Sequence, residues 1–395
     1  MVIKKIGGIG EKKFLNITRN KYYRAVEQAQ PMFAWFSLTE DCNLACRFCF
    51  ADAHLCSRKA GSANNKSDKE LSTEQIFKIL DNVSRAGTTA IQFAGGEPLL
   101  RPDLAEIISY AVQKNIYVAL NTNGTMLDDR TASALTKAGL SQVKVSIDGL
   151  KKNHEWNRGK GTFDKALNAL KLFRSYGIGS VYLIMTLSSV NFDDLLPLLD
   201  LTKELRVQFI MVEFLPVGHS TGKHKWGLSM EQRRKAQHIL WEEQKKRGLD
   251  KIQFENRYII SEQELTQKIL ADPDGPCDFM NFGVGCISGI YSYMITAQGR
   301  VATGCLIHQE VENSNLLERS LAEIWAEGEL FKKLRNRENL KGKCGNCIYR
   351  YVCGGCRRAA FIRTGDFMQS DPNCWVNGCI LMEKASKTTS RPDSS

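Results

Sequence analysis

Short runs of β-branched and aromatic residues alternate with amphipathic stretches from Phe33 to about Pro216. The runs Phe33–Leu38, Thr89–Ala94, Tyr117–Asn121, Val143–Ile147, Val181–Thr186 and Val207–Glu213 have the length and composition of buried strands. Between them the apolar positions follow a helical period. One such stretch opens on Ser72-x-x-Gln75, a capping box, and stops at Gly87; another opens near Thr162 and stops at Gly177. Strand–helix alternation predicts a parallel sheet. Six βα units in about 185 residues predict an α/β fold built as a partial, open (β/α)6 barrel, with its chemistry where strands end and loops begin. Cys42–Cys49, Gly95–Glu97, Asn121–Gly124 and Ser146–Gly149 all follow or end a predicted strand.

Outside residues 33–228, and in residues 52–70 within them, the pattern changes. Residues 1–32 are polar and basic (Lys4, Lys5, Lys12, Lys13, Arg19, Lys21, Arg24) and read as an arm or short helix on the barrel edge, too short for a separate peptide-recognition domain. Residues 52–70 are polar and small, the composition of a mobile loop. Residues 229–275 read as linking helices. Residues 276–382 are rich in Gly, Cys and aromatic residues with little periodicity, a small cysteine-rich domain. Residues 383–395 read as a disordered tail.

Composition narrows the class. A length of 395 suggests two to three units, and 43% hydrophobic residues can fill a core. No run approaches the roughly 18 apolar residues of a membrane span, and the start has no apolar stretch of signal-peptide length. A cytoplasmic location is expected, where thirteen cysteines serve as metal or cluster ligands rather than disulfides. The net charge of +11 is spread without a long Lys/Arg block, which predicts a solvated basic surface and no nucleic-acid partner. It also suits an anionic substrate or an acidic electron donor.

Cys42, Cys46 and Cys49 form a C-x3-C-x2-C triplet just after the first strand. Three thiolates on one loop can hold three corners of a [4Fe–4S] cubane, which ordinarily takes four cysteines, so one iron stays open. An open metal position can chelate a small molecule, as in catalytic zinc sites. A three-cysteine zinc or disulfide motif is the bland alternative.

The triplet, Phe48 before its last cysteine, and Gly95-Gly96-Glu97-Pro98 after a strand resemble the radical SAM enzymes over residues 30–380. The resemblance implies that the open iron binds the amino and carboxylate groups of S-adenosylmethionine (SAM). Reductive cleavage then yields methionine and a 5′-deoxyadenosyl radical that abstracts hydrogen from substrate. It implies a flavodoxin or ferredoxin-type donor. It places Gly95, Gly96, Glu97, Asn123, Ser146 and Asp148 at the SAM site. The segment His154-Glu-Trp-Asn-Arg-Gly159 is similar to a family H-D-x-x-R-G motif, with Glu155 in the place of its Asp. Arg158 is then a candidate for the SAM carboxylate, a structural ion pair being the alternative. Glu213 and Pro216–Gly218 end the sixth strand, where adenine or substrate would pass.

Nine of the cysteines fall in Cys277–Cys379. Cys344-x2-Cys347-x5-Cys353-x2-Cys356, followed by Cys374, resembles a SPASM-type domain, which carries auxiliary iron–sulfur clusters. The resemblance implies one cluster on Cys344, Cys347, Cys353 and Cys374, and a second on Cys277, Cys286, Cys305 and Cys356; Cys56 and Cys379 are left over. Two departures stand out. Two residues separate Cys353 and Cys356 where three are usual, and Gly299 precedes Cys305 by one residue more than usual. Structural zinc ribbons share the C-x2-C halves. An auxiliary cluster can accept the second electron of an oxidative reaction.

The run Leu340–Ala360, then Thr364-Gly-Asp and Asp371-Pro-Asn-Cys374, is similar to radical SAM enzymes that trim haem precursors and to relatives that mature peptide-derived cofactors. That implies loss of carboxylate groups from a tetrapyrrole, with Arg357, Arg358 and Lys341 as candidates to attract it. Other readings are a maturase of a ribosomal peptide or protein side chain, a sugar or aminocyclitol dehydrogenase or epimerase, and, from another class, an iron–sulfur electron carrier or sensor.

Overall fold

The computed structural model of the protein describes residues 5–6, 9–51, 53–55, 70–248, 250–254, 262–275, 277, 285–304 and 306–375. One ten-stranded mixed sheet dominates it. Strands β1 (Phe33–Ser37), β2 (Ala90–Ala94), β3 (Tyr117–Thr122), β4 (Gln142–Ser146), β5 (Ser180–Leu187) and β6 (Gln208–Glu213) lie side by side in chain order and all run parallel. They fall on the six predicted runs, with ends shifted by a residue or two. Strand β7 (Ile252–Phe254) adds parallel to β6. At the other edge β8 (Ser292–Ile295) runs parallel to β1, and β9 (Arg300–Thr303) and β10 (Leu306–Asn315) continue antiparallel.

Helix α1 (Glu11–Glu27) precedes the sheet. The crossovers carry α2 (Thr73–Arg85), α3 (Leu104–Gln113), α4 (Asp129–Lys137), α5 (Lys151–Arg158) with α6 (Thr162–Ser175), α7 (Leu195–Glu204) and α8 (Met230–Arg247). The predicted capping box of α2 is formed: the Gln75 amide donates to Ser72 Oγ at 3.3 Å and the Ser72 amide to Gln75 Oε1 at 2.9 Å. Ile76, Ile79, Leu80 and Val83 make its buried stripe, at the spacing that puts them on one face.

Period-two alternation sorts the strand residues. On β4, Val143 and Val145 are fully buried; the Val145 side chain lies beside Gly124, which also meets α6. Gln142, Lys144 and Ser146 therefore point to the opposite, inner face. In register with them, Gln92 of β2 and Asn121 of β3 face the same way.

The chain divides into two compact units. Residues 30–256 and 291–332 form the sheet unit. The described residues of 1–29, 257–290 and 333–375 form the cysteine-rich unit. In the basic start, α1 belongs to the cysteine-rich unit, where its apolar stripe has partners. Phe14 stands edge-on to Tyr349, with ring centroids 5.7 Å apart, and Tyr22 Oη donates to the Arg335 carbonyl at 2.8 Å. The 229–275 link is not purely helical, since β7 lies between α8 and α9 (Glu262–Ala271). The expected mobile loop, apart from residues 53–55 and 70, and the tail lie outside the described residues.

Candidate active site and cysteine centres

The cysteine loop leaves β1 and is gripped on three sides. At its start the Gly96 amide donates to the Thr39 carbonyl at 2.7 Å and the Glu97 amide to the Asp41 carbonyl at 2.8 Å. The glycines are required by this contact. A Cβ on Gly95 (φ +136°) would lie 2.3 Å from Thr39 O, and one on Gly96 2.0 Å from Asp41 O. What approaches these glycines so closely is the chain's own cysteine loop. The second grip is the end of α5. The Arg47 amide donates to Asn157 O at 3.0 Å and the Phe48 amide to Asn157 Oδ1 at 2.9 Å. The third comes from the segment after β6. The His219 amide donates to Cys49 O at 3.0 Å, and Gly218 (φ +58°) leaves room for that carbonyl.

Phe48, 8% exposed, is fixed in an aromatic cluster with Trp156 (5.7 Å), Phe214 (4.9 Å) and Trp226 (5.7 Å). The cluster packs apolar surface beside Cys46 and Cys49 and keeps water from that side of the loop. Cys42 is buried, and Cys46 and Cys49 are half-buried. Burial pushes the Cys42 thiol up to about 11 and also raises that of Cys46.

Two buried carboxylates tie the strand ends together. Glu97, 1% exposed, accepts from the Leu99 amide (3.1 Å), Thr122 Oγ1 (2.6 Å) and the Asn123 amide (2.7 Å), so it binds the β2 turn to the β3 turn. Burial raises its pKa against these donors. Asn123 Nδ2 in turn donates to Asn43 Oδ1 at 2.8 Å and approaches Cys42 Sγ at 3.9 Å. Asp148, 1% exposed, accepts from Arg158 Nε (2.6 Å), Asn157 Nδ2 (2.6 Å) and the Thr186 amide (2.8 Å). Its carbonyl accepts from Asn191 Nδ2 at 2.7 Å, and its amide donates to His154 Nδ1 at 3.2 Å. His154 is buried, and burial depresses its pKa to about 4, which keeps it neutral. Arg158 reaches Cys46 Sγ through Nη1 at 3.9 Å. The Asp148 and Cys46 charges push Arg158 up against its burial, so its charge persists.

The sequence-predicted residues Gly95, Gly96, Glu97, Asn123, Asp148 and Arg158 thus converge on Cys42–Cys49, and Ser146 is half-buried at the carboxyl end of β4. Glu213 does not join them. It is buried and accepts from Arg233 Nε at 2.8 Å, because its strand position faces α8. Sequence reasoning missed Asn157, Asn191, the aromatic cluster, and an inner-face polar set in which Lys144 Nζ donates to Gln92 Oε1 while Asn121 Oδ1 is buried without a partner. One available signal was Ser188-Ser-Val-Asn191 after a strand, where the Ser188 amide and hydroxyl both donate to Asn191 Oδ1.

In the cysteine-rich unit, backbone amides point at sulfur. Those of Asp371, Tyr349, Gly355 and Ala359 donate to the sulfurs of Cys344 (3.3 Å), Cys347 (3.4 Å), Cys353 (3.4 Å) and Cys356 (3.4 Å). In the sheet unit the Leu44 amide meets Cys42 Sγ at 3.4 Å. A thiol is a weak acceptor; donors aimed at sulfur fit thiolates holding iron, whose clusters are tuned by such bonds. The described cysteines are all free of disulfides. Cys353 lies within the electrostatic influence of Cys374 and Cys344, Cys356 within that of Cys286, and Tyr22 within that of Cys286 and Cys277. Cys56, Cys305 and Cys379 lie outside the described residues.

Two of the basic residues expected to attract substrate have other employment. Arg357 is buried on the carbonyls of Phe367 (2.7 Å) and Gln369 (2.8 Å). Lys341 pairs with Asp366 at 2.7 Å. Among the described residues no helix is long and apolar enough to cross a membrane.

Comparison with known proteins agrees with this geometry. Residues 36–202 match the radical SAM superfamily, and residues 286–348 an iron–sulfur cluster-binding domain called SPASM. An AdoMet-dependent heme synthase of Methanosarcina barkeri is 31% identical over 89% of this chain and 97% of its own. A mycofactocin maturase of Mycolicibacterium smegmatis is 27% identical over 89% of this chain and 86% of its own. Among solved structures, Streptococcus suis SuiB bound to its precursor peptide SuiA superposes with a TM-score of 0.68, covering 90% of this chain and 79% of that one, at 17% identity. The chain therefore belongs to the radical SAM superfamily, in the group that carries a SPASM domain, and is an enzyme of S-adenosylmethionine and iron–sulfur clusters.

Proposed function

We propose that the chain removes carboxylate groups from the side chains of a tetrapyrrole, a haem precursor. The observation that carries this reading is the relative named AdoMet-dependent heme synthase, matched at 31% identity over nearly its whole length. The inner-face Lys144 supports it, since an ammonium among amides suits a substrate bearing carboxylates.

Cys42, Cys46 and Cys49 would hold the SAM cluster and leave one iron open. When bound, that cluster and SAM would supply a 5′-deoxyadenosyl radical, and an auxiliary cluster would offer an acceptor for the electron released with carbon dioxide. Gly95, Gly96, Glu97, Asn123, Ser146, Asp148 and Arg158 form the SAM-facing wall, in two kinds. Glu97 and Asp148 act through the groups they hold, because their oxygens already serve backbone and side-chain donors. Arg158, fixed by Asp148, is the charged donor for the SAM carboxylate. Cys344, Cys347, Cys353 and Cys374 would hold one auxiliary cluster, and Cys277, Cys286, Cys305 and Cys356 a second. A flavodoxin or ferredoxin-type protein, acidic against the +11 chain, would supply electrons.

The test is anaerobic reconstitution with dithionite and SAM, reading 5′-deoxyadenosine, followed by turnover on tetrapyrroles carrying acetate or propionate groups. Loss of carbon dioxide from a tetrapyrrole is expected. Failure on every tetrapyrrole, with modification of a peptide instead, would overturn the substrate and favour the maturase reading.

A further inference from the structure

Of the buried arginines, Arg233 meets the Glu213 carboxylate, and Arg337 meets the carbonyls of Arg350, Tyr351 and Cys286. Arg357 meets a sulfur. It is 5% exposed, and its partners are the carbonyls of Phe367, Gln369 and Gly355 and, through Nη2, the Cys344 sulfur at 3.5 Å. Sulfur stands where Arg233 has a carboxylate; the buried Asp371 carboxylate nearby is engaged by the Cys356 and Asn373 amides. A guanidinium out of water needs a negative counterpart, and carbonyl dipoles alone are a weak one.

The backbone is shaped for this contact. Gly355, at φ +66°, lies between the two groups: a Cβ there would sit 2.7 Å from Arg357 Nη2 and 2.9 Å from Cys344 Sγ. A larger residue would separate guanidinium from sulfur. The Asp371 amide supplies a second donor to the same sulfur at 3.3 Å.

We infer that Arg357 is the buried countercharge of the auxiliary cluster ligated by Cys344, and that it raises the midpoint potential of that cluster. The inference rests on the assignment of an auxiliary cluster to Cys344, Cys347, Cys353 and Cys374. Reduction adds negative charge to a cluster, so a fixed cation in a low-dielectric site stabilises the reduced form. Arg357 is a positioning and tuning residue; it makes this cluster the readier electron acceptor.

The test is an EPR-monitored redox titration of loaded full-length enzyme in the Cys42→Ala/Cys46→Ala/Cys49→Ala background, which leaves only auxiliary signals. Arg357→Gln is expected to lower the reduced-to-oxidised ratio at fixed poise at least tenfold, about 59 mV for one electron. Arg357→Lys, which keeps the charge, should move it less. Full iron content with an unmoved potential in Arg357→Gln overturns the inference. If Arg357→Gln does not load, the parent background grown on nitrogen-15 arginine decides. Pulsed EPR should show a nitrogen-15 coupling that Arg357→Lys removes, and its absence overturns the inference. No auxiliary signal in the parent would instead defeat the cluster assignment itself.

Discussion

Gly96→Ala is the sharpest perturbation of the proposed SAM site, and its size can be worked from the backbone. The new Cβ would lie 2.0 Å from Asp41 O, 2.4 Å from Asp41 C and 2.9 Å from Glu40 O. Ordinary contact begins at 3.4 Å. The cysteine loop must therefore retreat by about 1.4 Å, directly beside Cys42. No flexible side chain can absorb the shift, because the atoms met are backbone. The movement breaks the bonds from the Gly96 and Glu97 amides to Thr39 O and Asp41 O. Two such bonds contribute about 2 kcal/mol, and overpacking costs about 1–3 kcal/mol more. Displacing a catalytic group by about 1 Å can cost 100-fold in rate. We expect reconstituted Gly96→Ala to lose at least 100-fold in 5′-deoxyadenosine formation and to hold less iron at the SAM cluster. Gly177→Ala is the control: its φ is +75° and nothing lies within 4 Å, so it should cost about 1–2 kcal/mol of stability and leave cleavage near wild type. Wild-type cleavage and iron content in Gly96→Ala would refute the reasoning.

Asn157→Leu removes the acceptor of the Phe48 amide and a donor to Asp148 together. It should lower the thermal midpoint by several degrees, matching about 2–4 kcal/mol, and slow SAM cleavage; an unchanged melt would remove Asn157 from the clamp. His154, depressed to about 4 by burial, stays neutral in the fold below the ordinary value near 6.5. Its contribution is whole above pH 6.5 and falls by about 1.4 kcal/mol per pH unit down to about 4. His154→Gln should flatten the decline of anaerobic denaturant midpoints between pH 6.5 and 5, and parallel profiles would contradict this. Lys144→Met removes the inner-face ammonium; a charge-assisted bond of about 1.5–3 kcal/mol predicts a rise of about 10–100-fold in KM for the tetrapyrrole. An unaltered KM would place the substrate carboxylates elsewhere.

Legibility from sequence followed range along the chain. The six barrel strands could be read because each is a run of five to eight residues with buried faces, bounded by turns. Strand β7 has three residues, with Gln253 between two apolar ones, and offers no pattern long enough to see. Strands β8–β10 lie among glycines and cysteines, where spacing drew the eye to ligands rather than to a sheet edge. The site was legible wherever spacing is local, as in the triplet and the Gly-Gly turn. Its clamps were not, because Asn157 reaches Phe48 across 109 residues and His219 meets Cys46 O across 173. Charge type misled at Arg357 and Glu213, whose burial only the fold reveals.

The two buried carboxylates explain why so much polarity at the strand ends has so little to spare for a ligand. The family resemblance places Glu97 and Asp148 at the SAM site, yet each already accepts from three donors. A carboxylate taken out of water must be satisfied in this way or become protonated. Satisfied, it fixes the turns that carry Asn123 and Arg158 before any ligand arrives, and ordering that is complete in advance is not charged against binding. Glu97→Gln and Asp148→Asn distinguish this from direct contact. A direct contact predicts weaker SAM binding at unchanged stability. The latch predicts that both variants lose about 1–3 kcal/mol of stability, and that Asp148→Asn also frees Arg158 from Cys46. Equilibrium denaturation beside SAM titration of the loaded enzyme separates the two, and weakened SAM binding with full stability would defeat the latch.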